Sequence, residues 1–307
     1  MQYYYSLEEI SIQNAWLTVG VFDGVHRGHR EIIRKLIAEA HANNAPAVLL
    51  TFDPHPANVL TGRDIKCLTT PTERSELLGA LGVDIVITQR FTPNLSTVPA
   101  YEYMLRLKKS LDLSHLLIGY DFALGKGREG NANRLTEIGR ELNYSVDVIP
   151  ALSDESGVIS STEIRKLVTV GNVAEAARLM GHPYRLQGLV AYGDRRGRTI
   201  GFPTANLNYA HEKVVPAGGI YACWAYVRGE RHMAAINIGT NPTFTPDKQT
   251  LSVEAYLLDF AEDIYDETVT LAFVQRLRDE LKYDSVDALI EQIGRDVQQT
   301  RELLGTA

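Results

Sequence analysis

The sequence predicts two folds in series: an α/β module on a doubly wound parallel sheet, then a mostly β module with a C-terminal helix. Over residues 1–160 short apolar runs alternate with helical patterns, as in a parallel sheet covered on both faces. From residue 183 the runs are β-like and separated by turn signals, which suits an antiparallel barrel or sandwich. A length of 307 residues agrees with two domains, at roughly 150 residues each.

Residues 15–21 (AWLTVGV) form the first strand and run into a Gly-rich turn. In residues 29–41, Ile32, Ile33, Leu36 and Ile37 recur at helical spacing. Residues 47–52, 84–88, 115–118 and 145–149 read as four more strands, with helices between them, notably over 72–81 and 100–110. Two short helices, 162–168 and 173–180, are separated by Gly171 and Asn172. After Gly181, His182 and Pro183 come five β-like runs, 184–193, 219–227, 232–239, 251–260 and 268–274. The last stretch, 285–304, is a charged helix with Leu289, Ile290, Ile293 and Val297 on one face. The expected modules are therefore 1–182 and 183–307.

Composition narrows the class. No run approaches the roughly 18 apolar residues of a membrane span, and the N-terminal MQYYYSLEEI lacks the pattern of a signal peptide. Cys67 and Cys223 lie far apart, in no disulfide or zinc spacing. A cytoplasmic protein is expected. The net charge of −7 divides into −3 for residues 1–182 and −4 for 183–307, so neither half carries the basic footprint of a nucleic-acid binder. Small-molecule partners are expected, and no oligomeric partner is indicated.

Gly20-Val21-Phe22-Asp23-Gly24-Val25-His26-Arg27-Gly28-His29 joins the first strand to the first helix. That is the strand edge where open α/β sheets bind ligands. Gly20 and Gly24 permit close backbone approach, the helix N-terminus favours phosphate, and His26 and His29 can donate to developing negative charge. A tight turn with two exposed histidines is the other reading; zinc lacks its usual partners. In Ile159-Ser160-Ser161-Thr162-Glu163-Ile164-Arg165 the hydroxyls and Arg165 either cap a helix or clamp a triphosphate. Phe52 to Pro56 (FDPHP) and the loop holding Asp121 and Phe122 follow the second and fourth strands. They are ligand loops or plain turns.

In the second half, Gly197, Arg198, Gly201, Pro203, Thr204 and Asn206 belong to GRTIGFPTAN, which is not a P-loop. Thr204 and Asn206 can offer oxygens to a hard cation such as Mg²⁺, or Pro203 simply opens a turn. Glu254 interrupts an apolar strand, either on an exposed register or as a general base for a hydroxyl.

Taken together these residues resemble the bacterial bifunctional riboflavin kinase/FAD synthetase family over nearly the whole chain. VGVFDGVHRGH, TFDPHP and ISSTEIR look like its adenylyltransferase module; GRTIGFPTANL, PAGGIYA, NIGTNPTF, VEAYLLDF and LRDE look like its kinase module. The resemblance implies a Rossmann-like nucleotidyltransferase domain over 1–182 and a riboflavin kinase β-barrel over 183–307. It implies Mg²⁺, ATP as co-substrate, and riboflavin, FMN and FAD as substrate, intermediate and product. Thr204 and Asn206 would hold Mg²⁺ and ATP, Glu254 would take the proton of the riboflavin 5′-hydroxyl, and Arg278 matches a flavin-side arginine. His26 and His29 would stabilise charge on the phosphates, with Ser160, Ser161, Thr162 and Arg165 on the triphosphate. Gly20, Phe22, Asp23, Gly24, Phe52, Pro56, Asp121 and Phe122 complete the nucleotide and flavin site.

Two departures stand out. Ala123 and Leu124 occupy positions where the family usually has Arg and Phe, and Asp266 follows Tyr265 where Gly is common. A flavin- or nucleotide-binding sensor with weakened FAD synthesis is the alternative function.

Overall fold

The computed structural model describes residues 1–154, 157–192, 200–240 and 251–305. The chain forms two compact units, Met1–Ser161 and Thr162–Ala307. Among the described residues no helix is long and apolar enough to cross a membrane.

The first unit is built on a six-stranded sheet: β1 (Gln2–Tyr4), β2 (Trp16–Val19), β3 (Ala47–Asp53), β4 (Ile85–Arg90), β5 (His115–Gly119) and β6 (Ser145–Ile149). Its order is β1-β4-β3-β2-β5-β6, and every neighbouring pair is parallel. Helices α1 (Arg27–Ala42), α2 (Pro56–Thr61), α3 (Pro71–Ala80), α4 (Pro93–Ser96), α5 (Ala100–Leu111) and α6 (Ala132–Leu142) connect the strands. Alternation along β3 shows both faces covered: Val48 and Leu50 join the core of α5 and α6, while Leu49 joins that of α1 and α3. The doubly wound sheet is thus as expected, with β1 as an additional edge strand.

The chain runs from β2 outward through β3 and β4, then returns to β5 on the other side of β2. This makes the C-terminal end of β2 the switch point of the sheet, where such folds open a crevice. The turn from Gly20 to His26 lies there. Phe22 (φ 50°) and Val25 (φ 41°) are buried in the left-handed region, which is sparsely populated for bulky and β-branched residues. Gly24 (φ 79°) has no room for a side chain, because a Cβ would meet Leu68 at 2.8 Å.

Two buried charges hold this conformation. Asp23, 1% exposed, accepts from the backbone N–H groups of Leu68 and Thr69 at 2.9 Å and from the Thr69 hydroxyl at 3.2 Å. Gly24 N–H in turn donates to Thr69 Oγ1 at 3.0 Å. Arg74, on α3 and 4% exposed, donates to Val21 O at 2.9 Å, to Thr51 Oγ1 at 2.7 Å, and to the carbonyls of Phe52 and Thr69. One guanidinium therefore ties the β2 turn, the end of β3 and the segment before α3.

After a short hairpin of β7 (Ser153–Asp154) and β8 (Gly157–Val158) come α7 (Ser161–Thr169) and α8 (Val173–Met180). The second unit continues with β9 (Tyr184–Ala191), β10 (Ala205–Tyr209), β11 (Gly219–Val227), β12 (Glu230–Thr240), β13 (Leu251–Leu257), β14 (Thr268–Arg278) and α9 (Val286–Gly305). The six strands close into an antiparallel barrel of order β10-β13-β12-β11-β14-β9. Tyr184, Tyr221 and Phe273 fill its interior. Along β12, Ala234, Ile236 and Ile238 are fully buried whereas Ala235 and Asn237 are partly exposed, so the outer face carries Asn237. α9 packs over β11 and β12. The units divide at the first residue of α7, whereas the sequence pattern divides the chain after α8. The apolar face of α8 (Val173, Ala176, Leu179, Met180) is buried, and α8 packs on β14 and β9.

His115, at the start of β5, stacks on Trp16 with ring centroids 4.0 Å apart. Its Nε2 stands 3.5 Å from Asp147 Oδ2. Burial lowers its pKa by more than the carboxylate raises it.

Two stability predictions follow from these contacts. Asp23→Ala strands buried N–H donors and should cost the first unit about 2–4 kcal/mol. Urea unfolding followed by Trp16 fluorescence in a Trp224→Phe background measures this; an unchanged midpoint would show the tether to be dispensable. Because His115 is held neutral in the fold, the unfolded chain takes its proton first. Its contribution is complete above about pH 6.5 and is lost as the pH falls through the lower folded pKa. His115→Gln should therefore flatten the acid side of the stability profile, and an unaltered profile would count against the assignment.

Candidate functional site

At the switch point of the first unit, Gly20 follows β2 and donates its N–H to Leu50 O at 3.0 Å. His26 caps α1: its Nδ1 accepts from His29 N–H at 3.4 Å. The His26 and His29 rings stack with centroids 3.6 Å apart and planes 20° from parallel. Phe22 meets the His29 ring edge-on at 5.1 Å. The first turn of α1 thus sets two stacked imidazoles at the helix N-terminus, His26 buried and His29 half-buried.

The flanking strands bring Phe52, Asp121 and Phe122 to the same sheet edge. Phe52 lies near the end of β3, its ring 5.5 Å from Phe91, and Pro56 opens α2 behind the His55 cap. Asp121 and Phe122 follow β5, where Phe122 N–H closes a turn on Gly119 O at 3.1 Å. Ser160 is half-buried. The Ser161 hydroxyl donates to Asp23 O at 2.9 Å, joining the second motif to the first. Thr162 and Arg165 lie on α7, exposed and half-buried respectively.

The departure at 123–124 has a local cause. Leu124 is buried and joins the core beside α5, and it bridges to Gly130. A guanidinium still reaches this loop, since Arg128 Nη2 donates to Asp121 O at 2.9 Å. Nothing in the spacing of the motifs singles out Arg128.

In the second unit a cavity of about 420 Å³ lies between the outer face of the barrel and α9. Thr204, Asn237, Glu254 and Arg278 line it, with Leu289 and Ile293 of α9. Thr204 Oγ1 donates to Glu254 Oε2 at 3.3 Å, and Asn206 is the direct cross-strand neighbour of Glu254. Thr204 and Pro203 also line a smaller hollow of about 100 Å³ with Ala205 and Tyr265. The Thr204–Glu254 pair therefore stands on the wall of the larger cavity, and Thr204 fronts both. Gly201 takes φ 86° just before Phe202, whose ring meets Tyr256 edge-on at 5.3 Å. Gly197 and Arg198 lie outside the described residues.

Arg278 is held by Asp296 of α9, Nε to Oδ1 at 2.9 Å and Nη2 to Oδ2 at 2.6 Å. Hydrogen bonding to the Asp296 carboxylate raises the pKa of Arg278. Asp296 is 4% exposed and also accepts from Gln292 at 3.0 Å. It went unread in the sequence because a charged helix hides which of its acids turns inward. Asp266 adopts φ 62°, a conformation Asp tolerates better than most residues, so the departure from Gly is accommodated.

Comparison with known proteins agrees with both halves. An FAD synthetase family profile matches residues 9–163 and a riboflavin kinase profile matches residues 180–304. A bifunctional riboflavin kinase/FMN adenylyltransferase of Listeria monocytogenes is 38% identical over 94% of this chain and 92% of its own length. The protein of the same name from Escherichia coli K12 is 35% identical over 98% and 96%. A solved chain from Streptococcus pneumoniae, described as a macrolide-efflux protein, superposes with TM-score 0.89 at 33% identity, covering 97% of this chain and 98% of that one. With both profiles in order and relatives matched almost end to end, the chain belongs to the bifunctional riboflavin kinase/FMN adenylyltransferase family.

Proposed function

We propose that the chain converts riboflavin to FMN in the barrel module and FMN to FAD in the sheet module, using one ATP for each step. The observation that carries the first reaction is the Thr204–Glu254 pair on the wall of the larger cavity. A primary hydroxyl is a poor nucleophile, and Glu254 is the base that accepts its proton as the oxygen attacks the γ-phosphorus and ADP leaves. The 420 Å³ cavity takes the flavin, and the hollow fronted by Thr204 takes part of the nucleotide. The Thr204 hydroxyl and the Asn206 carbonyl are hard oxygen donors, suited to Mg²⁺. When bound there, Mg²⁺ neutralises charge on the phosphates. Arg278, fixed by Asp296, serves the flavin end.

In the second reaction a phosphate oxygen of FMN attacks the α-phosphorus of ATP and pyrophosphate leaves. The nucleophile is already anionic, so the site needs alignment and charge stabilisation instead of a base. His26 and His29 donate toward the phosphates, while Ser160, Ser161, Thr162 and Arg165 hold the triphosphate. The turn glycines, Phe22, Asp23, Phe52, Pro56, Asp121 and Phe122 shape the nucleotide and flavin site, and Gly197, Arg198, Gly201 and Pro203 the kinase loop. We assign adenylyl transfer to residues 1–182, phosphorylation to 183–307, and both to the cytoplasm. A sensor without turnover is not favoured: the candidate base, the oxygen donors and the imidazole pair are all present.

Incubation with riboflavin, ATP and Mg²⁺, followed by separation of FMN and FAD, tests the reading. Glu254→Gln should lower FMN formation by about 10²- to 10⁴-fold and leave adenylylation of supplied FMN intact. His26→Ala should do the reverse, lowering FAD formation by about 10²- to 10³-fold. Loss of both activities in either folded variant would overturn the two-site assignment.

A further inference from the structure

Closure of the barrel aligns five residues in one cross-strand row. Asn206 stands opposite Glu254, Glu254 opposite Asn237, Asn237 opposite Ile220, and Ile220 opposite Arg278. Directly opposed residues project from the same face of a sheet, here the outer face beneath α9. Glu254, Asn237, Ile220 and Arg278 all line the large cavity.

Asn237 is the polar member of the row without a role so far. Its Oδ1 is buried and has no hydrogen-bond partner among the described residues. A buried amide oxygen left in this state forfeits its bond to water and is uncommon in folded proteins. Arg278 is held by Asp296, whereas Glu254 accepts one bond from Thr204 at a single oxygen. Asn237 therefore adds a second polar group with spare capacity beside Glu254 on the cavity wall.

We infer that Asn237 reads the polyol chain of riboflavin: its amide hydrogen-bonds a secondary ribityl hydroxyl and so sets the 5′-hydroxyl at Glu254. The inference rests on the kinase reading above and adds a specificity-determining residue to it. Adjacent strands lie about 4.8 Å apart, a few carbon–carbon bonds along an extended chain. A hydroxyl held by Glu254 therefore brings the middle of the ribityl chain to Asn237. A secondary hydroxyl both donates and accepts, and so does the amide, so the pair is satisfied in either orientation. The next residue, Ile220, is apolar, and Leu289 and Ile293 line the same cavity from α9. The row passes from polar to apolar where the substrate passes from polyol to ring.

The test compares riboflavin with its 2′-, 3′- and 4′-deoxy analogues in the full-length native enzyme and in Asn237→Leu, a change that keeps side-chain shape. In the native enzyme at least one analogue should lose roughly 10- to 100-fold in kcat/KM. Asn237→Leu should lose a similar factor on riboflavin and nothing further on that analogue. A merely structural residue would not erase that discrimination. If the variant keeps the full penalty, or if the native enzyme uses all three analogues as well as riboflavin, the inference is overturned. The Trp224 fluorescence melt in a Trp16→Phe background reports folding of the barrel, and Asn237→Ala repeats the comparison if the leucine variant does not fold. Failure of the native enzyme to phosphorylate riboflavin would instead overturn the kinase reading, and this inference with it.

Discussion

Strand register is the constraint on which both sites depend. In the first unit the parallel pairing of β2 with β3 and β5 brings the Gly20–His26 turn, Phe52 and Asp121 to one sheet edge. In the second, barrel closure pairs every strand on both sides and so fixes its register. A slip of one residue would turn Glu254 from the cavity into the barrel interior, where Val253 and Ala255 now pack. The core and the site are therefore specified together, since the same alternation that buries Ile236 and Ile238 directs Asn237 outward.

An acidic chain that handles phosphates needs positive features that are local. The net charge is −7, yet Arg74 is buried beneath the first turn with three carbonyls and one hydroxyl as acceptors. Its direct acceptors are dipoles, and the buried Asp23 carboxylate lies in the same turn. The N-terminus of α1 with its stacked imidazoles is the feature that favours an anion above the turn. Arg278 is handled in the opposite way: bidentate pairing with Asp296 fixes its position at the cost of much of its field. Position matters for an uncharged ring, and field matters for a triphosphate.

Much of this was legible in the sequence, and the illegible parts share a cause. The parallel strands are apolar runs long enough to declare themselves, and the Gly20–His29 motif combines residue types that few structural turns need. β1 was not read because three residues rich in tyrosine carry no period. β10 was not read because Pro203 announces a turn, although the strand begins two residues later at Ala205. Asn237 reads as one residue of a β-like run, and its meaning arises only when Glu254 is brought beside it. Asp23 resembles any turn aspartate until Leu68 and Thr69 supply their N–H groups. These residues act through partners distant in sequence, and local patterns cannot name such partners. The division of the chain is a similar case, because α7 and α8 have ordinary helical patterns and only packing assigns α8 to the barrel.

A binding wall made from one row across a barrel has a fixed graduation. Its marks are separated by the hydrogen-bonded spacing of the strands, which no side-chain substitution can stretch or shrink. Adaptation to a longer or shorter substrate must therefore come from the length of the side chains or from displacement of the opposing helix, not from the wall. Selectivity in such a pocket changes by steps, and substrates whose functional groups fall between two marks are poorly served however well they fill the volume.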